Sequence, residues 1–109
     1  MNEEICKFVT ACSLKGEFEE VGNSKKGNEQ YKIINASYIL LKDNGRLDEL
    51  LALLDHENPY VRLWAASFTL QFSPLKAEKA LEELTELRRN IGFDAKMTLQ
   101  VWRSGNLML

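Results

Sequence analysis

Apolar side chains recur every three or four positions along most of this chain, which is the spacing of amphipathic α-helices. Six stretches show it, at about residues 2–21, 28–42, 47–54, 60–72, 74–90 and 93–104. The polar, glycine-flanked stretch 22–27 is typical of a mobile surface loop. The pattern therefore predicts six helices joined by short connections.

Residues that start or end helices support these limits. Asn58-Pro59 and Ser73-Pro74 each place a capping side chain before a proline, whose fixed φ suits the first helical position. Asn44-Gly45 is expected to end the second helix, because glycine adopts the left-handed conformation that closes a helix. Gly92 is expected to separate the fifth helix from the sixth.

The stripes of apolar residues predict which sides of the helices are buried. The fourth helix is apolar on two sides, which is typical of a helix packed between neighbours. Its two predicted clusters are Val61, Ala65, Phe68 and Phe72, and Leu63, Ala66 and Leu70. In the fifth helix the predicted buried residues are Ala77, Ala80, Leu81, Leu84 and Leu87, and in the sixth the residues that share an apolar stripe are Phe93, Met97 and Val101.

Composition supports an all-α fold. The 109 residues include 17 Leu and 8 Ala against 4 Val and 5 Ile, and the β-branched residues are those that favour strands. With 45% hydrophobic and 28% charged residues, intrinsic disorder is excluded. No apolar run is long enough to cross a membrane, and the acidic N-terminus does not resemble a signal peptide. We therefore expect a cytoplasmic protein of one domain, residues 1–109.

An offset of 34 residues aligns the middle of the chain with its end, which predicts a helical repeat. Leucine-rich residues 50–54, a polar turn at 55–59, Val61-Arg62 and Ala65-Ala66 together resemble a HEAT-type repeat. The whole chain is similar to a bacterial family of small HEAT-like proteins classed as a domain of unknown function. The resemblance implies a right-handed α-α superhelix of three hairpins, about residues 2–42, 46–72 and 74–104. Relatives of this kind include immunity proteins of polymorphic and contact-dependent toxin systems.

The sequence offers little for catalysis or for a metal. The single histidine, His56, lies between two carboxylates in a polar loop, and we interpret it as a solvated residue rather than an acid–base group. Cys6 and Cys12 are six positions apart on one helix and cannot share a metal ion. No phosphate-binding glycine motif occurs. We predict no enzymatic activity, cofactor or metal.

Charge argues against binding to nucleic acid. The 14 basic and 16 acidic residues give a net charge of -2, and no helix carries a basic stripe. The acidic residues instead suggest a basic protein partner, such as a nuclease-type toxin domain. Opposite charges on the two proteins would speed their association.

We expect partner-binding residues on the fourth helix and beside it. An aromatic and polar strip there lies outside both apolar clusters, and Tyr and Trp are frequent interface anchors. Packing between helices is the alternative for Trp64 and Tyr38, and Arg62 is expected to bridge to Asp55 or Asp94. The predicted partner-binding residues are Tyr60, Trp64, Ser67, Gln71, Asp48, Glu49, Asp55, Glu57, Tyr38 and Arg103.

The sequence therefore favours a non-enzymatic protein-binding module, most specifically an immunity protein that blocks a cognate bacterial toxin. A general scaffold or adaptor is the alternative, and a nucleic-acid-binding HEAT-like module is a weaker one. We expect a monomer or a weak homodimer. Self-association would use Ile5, Phe8 and Phe18 at one end and Leu107, Met108 and Leu109 at the other.

Overall fold

The structure is a computed structural model that describes residues 3–105. Helices joined by short turns make up this part of the chain. No strand occurs in that range, so the predicted all-α class is confirmed. Six helical elements follow one another, five α-helices and one 3₁₀ helix. They are α1 (Glu3–Glu20), α2 (Ser24–Asp43), the 3₁₀ helix (Leu47–Asp55), α3 (Pro59–Thr69), α4 (Pro74–Leu84) and α5 (Arg89–Arg103).

The chain divides into two compact units, Met1–Glu49 and Leu50–Leu109. The division falls inside the 3₁₀ helix, where the sequence predicts a short α-helix instead. Leu50 and Leu53 of that helix are buried, whereas Leu47, Leu51 and Leu54 are half-buried. The organisation as a single domain stays a prediction.

In the first unit, α1 packs against α2 across a tight connection. Asn23 N donates to Phe18 O at 2.8 Å and Gly22 N donates to Glu19 O at 3.1 Å, which is a Schellman closure of α1. Gly22 has a φ of +74°, which glycine adopts without strain. Asn23 then caps α2 by accepting from Lys26 N. The predicted loop 22–27 is therefore wrong from residue 24 onwards, because the Asn23 side chain starts the helix early.

The end of α2 confirms the predicted Asn44-Gly45 stop. Arg46 N donates to Leu41 O and Gly45 N donates to Lys42 O, which repeats the same closure. The side chains that α2 buries are Ile34, Ser37, Tyr38 and Leu41, and α1 buries Ile5, Phe8, Ala11 and Cys12. The first unit is thus a helical hairpin with its core between the two helices.

In the second unit, α3, α4 and α5 pack against one another around one apolar cluster. Asn58 caps α3 by accepting from Tyr60 N at 2.9 Å, and Pro59 occupies the first turn, as predicted. The prediction that α3 is buried on two sides holds for every residue of both clusters except Phe72, which is exposed. The cluster is formed by Tyr60, Leu63, Ala66, Leu70, Ala77, Ala80, Leu81, Leu84, Ile91, Ala95 and Leu99.

The connection from α4 to α5 differs from the prediction. Helix α4 ends at Leu84, six residues before the predicted limit, and α5 begins at Arg89, so Gly92 lies inside α5. Arg89 has a φ of +70°, which a residue with a side chain adopts at a cost. A Cβ built at Gly92 would meet Leu87 O at 2.0 Å, so this glycine permits a close approach of two backbone segments. The left-handed conformation of Arg89 and the close contact at Gly92 therefore shape this turn, and Gly92 does not break the helix.

Replacing Arg89 with glycine is expected to stabilise the protein by about 0.5–1 kcal/mol, because glycine relieves the left-handed strain. The Arg89 side chain is exposed, so little packing is lost. Urea denaturation followed by circular dichroism measures the effect. A loss of stability would show that the left-handed conformation of Arg89 is not the strained point of this turn.

Candidate protein-binding surface

The strip predicted on α3 is not a continuous surface. Tyr60 and Ser67 are both buried, the first in the apolar cluster and the second with its hydroxyl donating to Leu63 O at 2.7 Å. Trp64 is half-buried, and its ring lies 5.9 Å from the ring of Phe68. Gln71 is exposed but lies beyond the end of α3. The expectation of an outward strip was therefore wrong for Tyr60 and Ser67, since helix α3 is enclosed on more sides than its two apolar clusters indicate.

Two further predicted residues have clear structural environments. Tyr38 is buried in α2. Arg103 is exposed at the end of α5, where its Nε donates to Glu78 Oε1 at 3.2 Å and its Nη2 to Glu82 Oε1 at 2.5 Å. The hydrogen bonds that Arg103 donates to Glu78 and to Glu82 raise the pKa of its guanidinium, the bond to Glu78 having the larger effect. Arg103 thus ties α5 to α4.

Three of the four predicted acidic residues are exposed, Glu49 is half-buried, and cations lie near Glu49 and Asp55. Arg46 donates to both carboxylate oxygens of Glu49, at 2.5 and 3.1 Å. Asp55 lines a cleft of about 290 Å³ whose other charged residues are Lys76, Lys79 and Glu83. Asp48 and Glu57 are exposed. Asp48 and Glu49 belong to the first unit, and Asp55 and Glu57 to the second.

The residues considered for chemistry have structural roles. His56 Nδ1 accepts from Asn58 N at 3.0 Å and so closes the turn before α3. The Nε of Arg62 is buried and donates to no acceptor among the described residues. The expected bridge from Arg62 to Asp55 or Asp94 stays a prediction. Burial raises the pKa of the Cys12 thiol, whereas Cys6 is exposed. Across residues 3–105, no group of three His, Cys, Asp or Glu side chains is placed to hold a metal ion.

Helix α5 presents to solvent the apolar stripe that its spacing predicts. Phe93 is 63% exposed and Met97 is 42% exposed, and Val101 continues the stripe as a partly buried residue. We call these three residues the α5 outer face. The side of α5 that enters the core carries Ile91, Ala95 and Leu99 instead.

The close approach at Gly92 explains the rotation of α5. Gly92 lies against the backbone of Leu87, and Ala95 is fully buried in the apolar cluster, so the bulkier Phe93 and Met97 turn outwards. The sequence does contain a signal for the buried side of α5: Gly92 and Ala95 are small residues three positions apart, a spacing that puts both on one side of a helix. Apolar periodicity alone does not distinguish the two stripes, because both have helical spacing.

A cleft of about 450 Å³ between α4 and α5 contains polar residues, among them the predicted binding residue Arg103. Lys96, Leu99, Gln100 and Arg103 of α5 line it together with Glu82 of α4 and Thr85, which follows the end of α4. On the helix surface, Lys96 and Gln100 each lie three positions after a residue of the α5 outer face. This face therefore has an apolar centre and a polar border, the usual arrangement of a protein-binding surface.

Comparisons with known proteins agree with a helical domain that has no assigned activity. A family model described as "Domain of unknown function (DUF2019)" matches residues 20–102. The crystal structure of the protein RPA1889 from Rhodopseudomonas palustris is similar to this chain, with a TM-score of 0.88 at 24% identity. The match covers 98% of this chain and 91% of that chain, and it shows a shared fold. No curated protein matches the sequence.

These comparisons confirm the predicted resemblance to a family of unknown function. Neither description names a toxin, an immunity protein or a partner. The immunity assignment and the HEAT-like character therefore stay predictions. Within residues 3–105, no helix has both the length and the apolar content needed to cross a bilayer.

Proposed function

From the premise that this chain belongs to the DUF2019 family, we propose that it is a non-enzymatic protein-binding module. The observation that carries the proposal is the α5 outer face. Phe93 and Met97 are one helical turn apart, and both are large, apolar and exposed. Such side chains supply binding energy when a partner removes them from water, at roughly 25 cal/mol per Å² of apolar surface.

The rigidity of α5 supports the same proposal. Its opposite side is fixed in the apolar cluster by Ile91, Ala95 and Leu99, and Arg103 ties its end to α4. A preformed surface binds with a smaller loss of conformational entropy than a mobile one. The α5 outer face is thus suited to a stoichiometric partner rather than to a transient substrate.

The more specific proposal is an immunity protein that binds and blocks a cognate bacterial toxin. It draws on the resemblance described above and on the exposed carboxylates of Asp48, Asp55 and Glu57. These charges favour a basic partner such as a nuclease-type toxin domain, since opposite charges accelerate association. Binding would block the toxin by covering its surface, without chemistry.

A growth-rescue experiment tests this proposal. Toxin domains encoded beside the gene for this chain are expressed in a bacterial host with and without the chain. We expect the wild-type chain to restore growth and to form a one-to-one complex in light scattering. The double substitution Phe93→Asp and Met97→Asp is expected to weaken binding at least about a hundredfold, because two anchors are lost.

Leu75→Asp is the matched control, because Leu75 is 86% exposed and lies on α4. This variant should rescue growth as well as the wild type does. Rescue that persists in the double variant would exclude the α5 outer face. A non-toxic neighbouring protein that binds through α5 would replace the immunity assignment with an adaptor function.

A further inference from the structure

The outer side of the first unit has a long apolar groove between α1 and α2. Two adjoining clefts of about 470 and 460 Å³ share Lys7 and Ile33, so they form one continuous surface. We call it the α1/α2 groove. Its apolar residues are Cys6, Ala11, Leu14, Ile33, Ala36 and Leu40, and its charged residues are Glu3, Glu4, Lys7 and Lys32.

This groove is not the end surface that the sequence predicted for self-association. Ile5 and Phe8 are buried between the helices, and Phe18 is half-buried. Leu107, Met108 and Leu109 lie outside the described residues. Exposed instead are Ile33 at 42% and Leu40 at 46%, seven positions apart on α2.

The spacing of the groove residues is that of a helix side that packs against another helix. Ile33, Ala36 and Leu40 follow the i, i+3, i+7 pattern of a core-facing stripe, yet in the described chain this side faces water. A contiguous exposed apolar surface with a polar border marks an interaction site. The α1/α2 groove is therefore an unoccupied packing surface.

The charges along the groove identify the occupant. Two carboxylates and two amines line it, so a strongly acidic or strongly basic partner would meet like charges. The charges are also ordered along the hairpin, because Glu4 near the start of α1 lies towards the end of α2 that carries Leu40, while Lys32 lies eight positions before Leu40, about two turns nearer the start of α2. Two copies placed face to face in opposite directions would bring each Glu4 towards the Lys32 of the other copy.

We propose that the chain forms a homodimer through the α1/α2 groove, with a twofold axis across its middle. In such an interface each copy contributes the same residues, so the two Glu4–Lys32 contacts form together. In the same antiparallel arrangement, Ile33 and Leu40 of one copy cover the apolar groove residues that lie opposite them in the other copy. This interface does not involve the α5 outer face and does not depend on the proposed function.

Sedimentation velocity over a range of protein concentrations tests the proposal with the full chain. We expect a concentration-dependent dimer, and Ile33→Asp should raise the dissociation constant at least about tenfold, since a charge replaces an apolar anchor. Leu75→Asp and Phe93→Asp are controls on α4 and α5 that should dimerise as the wild type does. Circular dichroism melting confirms that each variant is folded.

A charge exchange tests the direction of pairing and does not depend on Ile33. Glu4→Lys alone and Lys32→Glu alone should each weaken the dimer, because each puts like charges opposite one another. The double variant carrying both changes should recover the wild-type dissociation constant. Cys6 provides a second readout, since its reaction with a maleimide should slow as protein concentration rises, while the buried Cys12 stays unreactive.

Three results would overturn the proposal. The first is a chain that stays monomeric up to about millimolar concentration, the weakest affinity range that such an interface would have. The second is a dimer that Ile33→Asp leaves unchanged but Phe93→Asp disrupts. The third is a double charge variant that dimerises no better than the two single variants, which would exclude the antiparallel arrangement.

Discussion

Replacing Gly92 with alanine is expected to lower the free energy of unfolding by about 3 kcal/mol, because overpacking against a rigid neighbour is expensive. The new Cβ would meet Leu87 O at 2.0 Å and Leu87 C at 3.0 Å. Both atoms belong to the backbone of the turn before α5, so a side-chain rotation cannot relieve the contact. Guanidinium denaturation followed by circular dichroism measures the loss.

Gly27→Ala is the matched control for this substitution. Gly27 also lies inside a helix, but its added Cβ would have Glu19 Cγ at 3.7 Å as its nearest neighbour, an ordinary contact. Alanine is favoured over glycine in helices by about 1 kcal/mol, so Gly27→Ala should leave stability unchanged or raise it. Equal stabilities of the two variants would mean that the Leu87 carbonyl does not lie over Gly92.

Truncating Leu81 to alanine is expected to cost about 3–4 kcal/mol, because it removes buried methyl groups and leaves a cavity. Leu81 is fully buried in the apolar cluster that α3, α4 and α5 share. Domains of this size are stable by only about 5–15 kcal/mol, so the variant should lose a large part of its stability. The midpoint of urea unfolding measures the change.

The control lies on the same helix and has the same chemistry. Leu75 is 86% exposed, so Leu75→Ala should change stability by less than about 0.5 kcal/mol. The contrast between the two leucines isolates burial from helix propensity, which is the same for both substitutions. Similar losses in both variants would contradict the assignment of Leu81 to the core.

Much of the fold could be predicted because local signals decide it. Asn58-Pro59 and Gly45 act through hydrogen bonds and backbone angles of their immediate neighbours, so the helix limits that they set are confirmed. The early start of α2 is also local, but Asn23 was assigned to a loop with the polar residues that follow it. The cap that the Asn23 side chain forms outweighs the polar composition of the stretch, which by itself predicts a loop.

The candidate site could not be predicted to the same extent, because exposure depends on how helices rotate against each other. Two stripes of α5 have helical spacing, and only the close contact at Gly92 selects the one that is buried. Likewise, Tyr60 has the residue type of an interface anchor but fills the core. Residue types and spacing do not give the distances between packed helices, and those distances decide which apolar residues are buried and which are exposed.

The 3₁₀ helix at Leu47–Asp55 has a consequence for the way the protein opens. At nine residues it is longer than the three or four that this helix type usually spans, and its hydrogen bonds have poorer geometry. The division between the two compact units falls within it. Local unfolding follows such weakly bonded segments. We therefore expect hydrogen exchange to show one unit losing the protection of its amides before the other, with the boundary inside this helix.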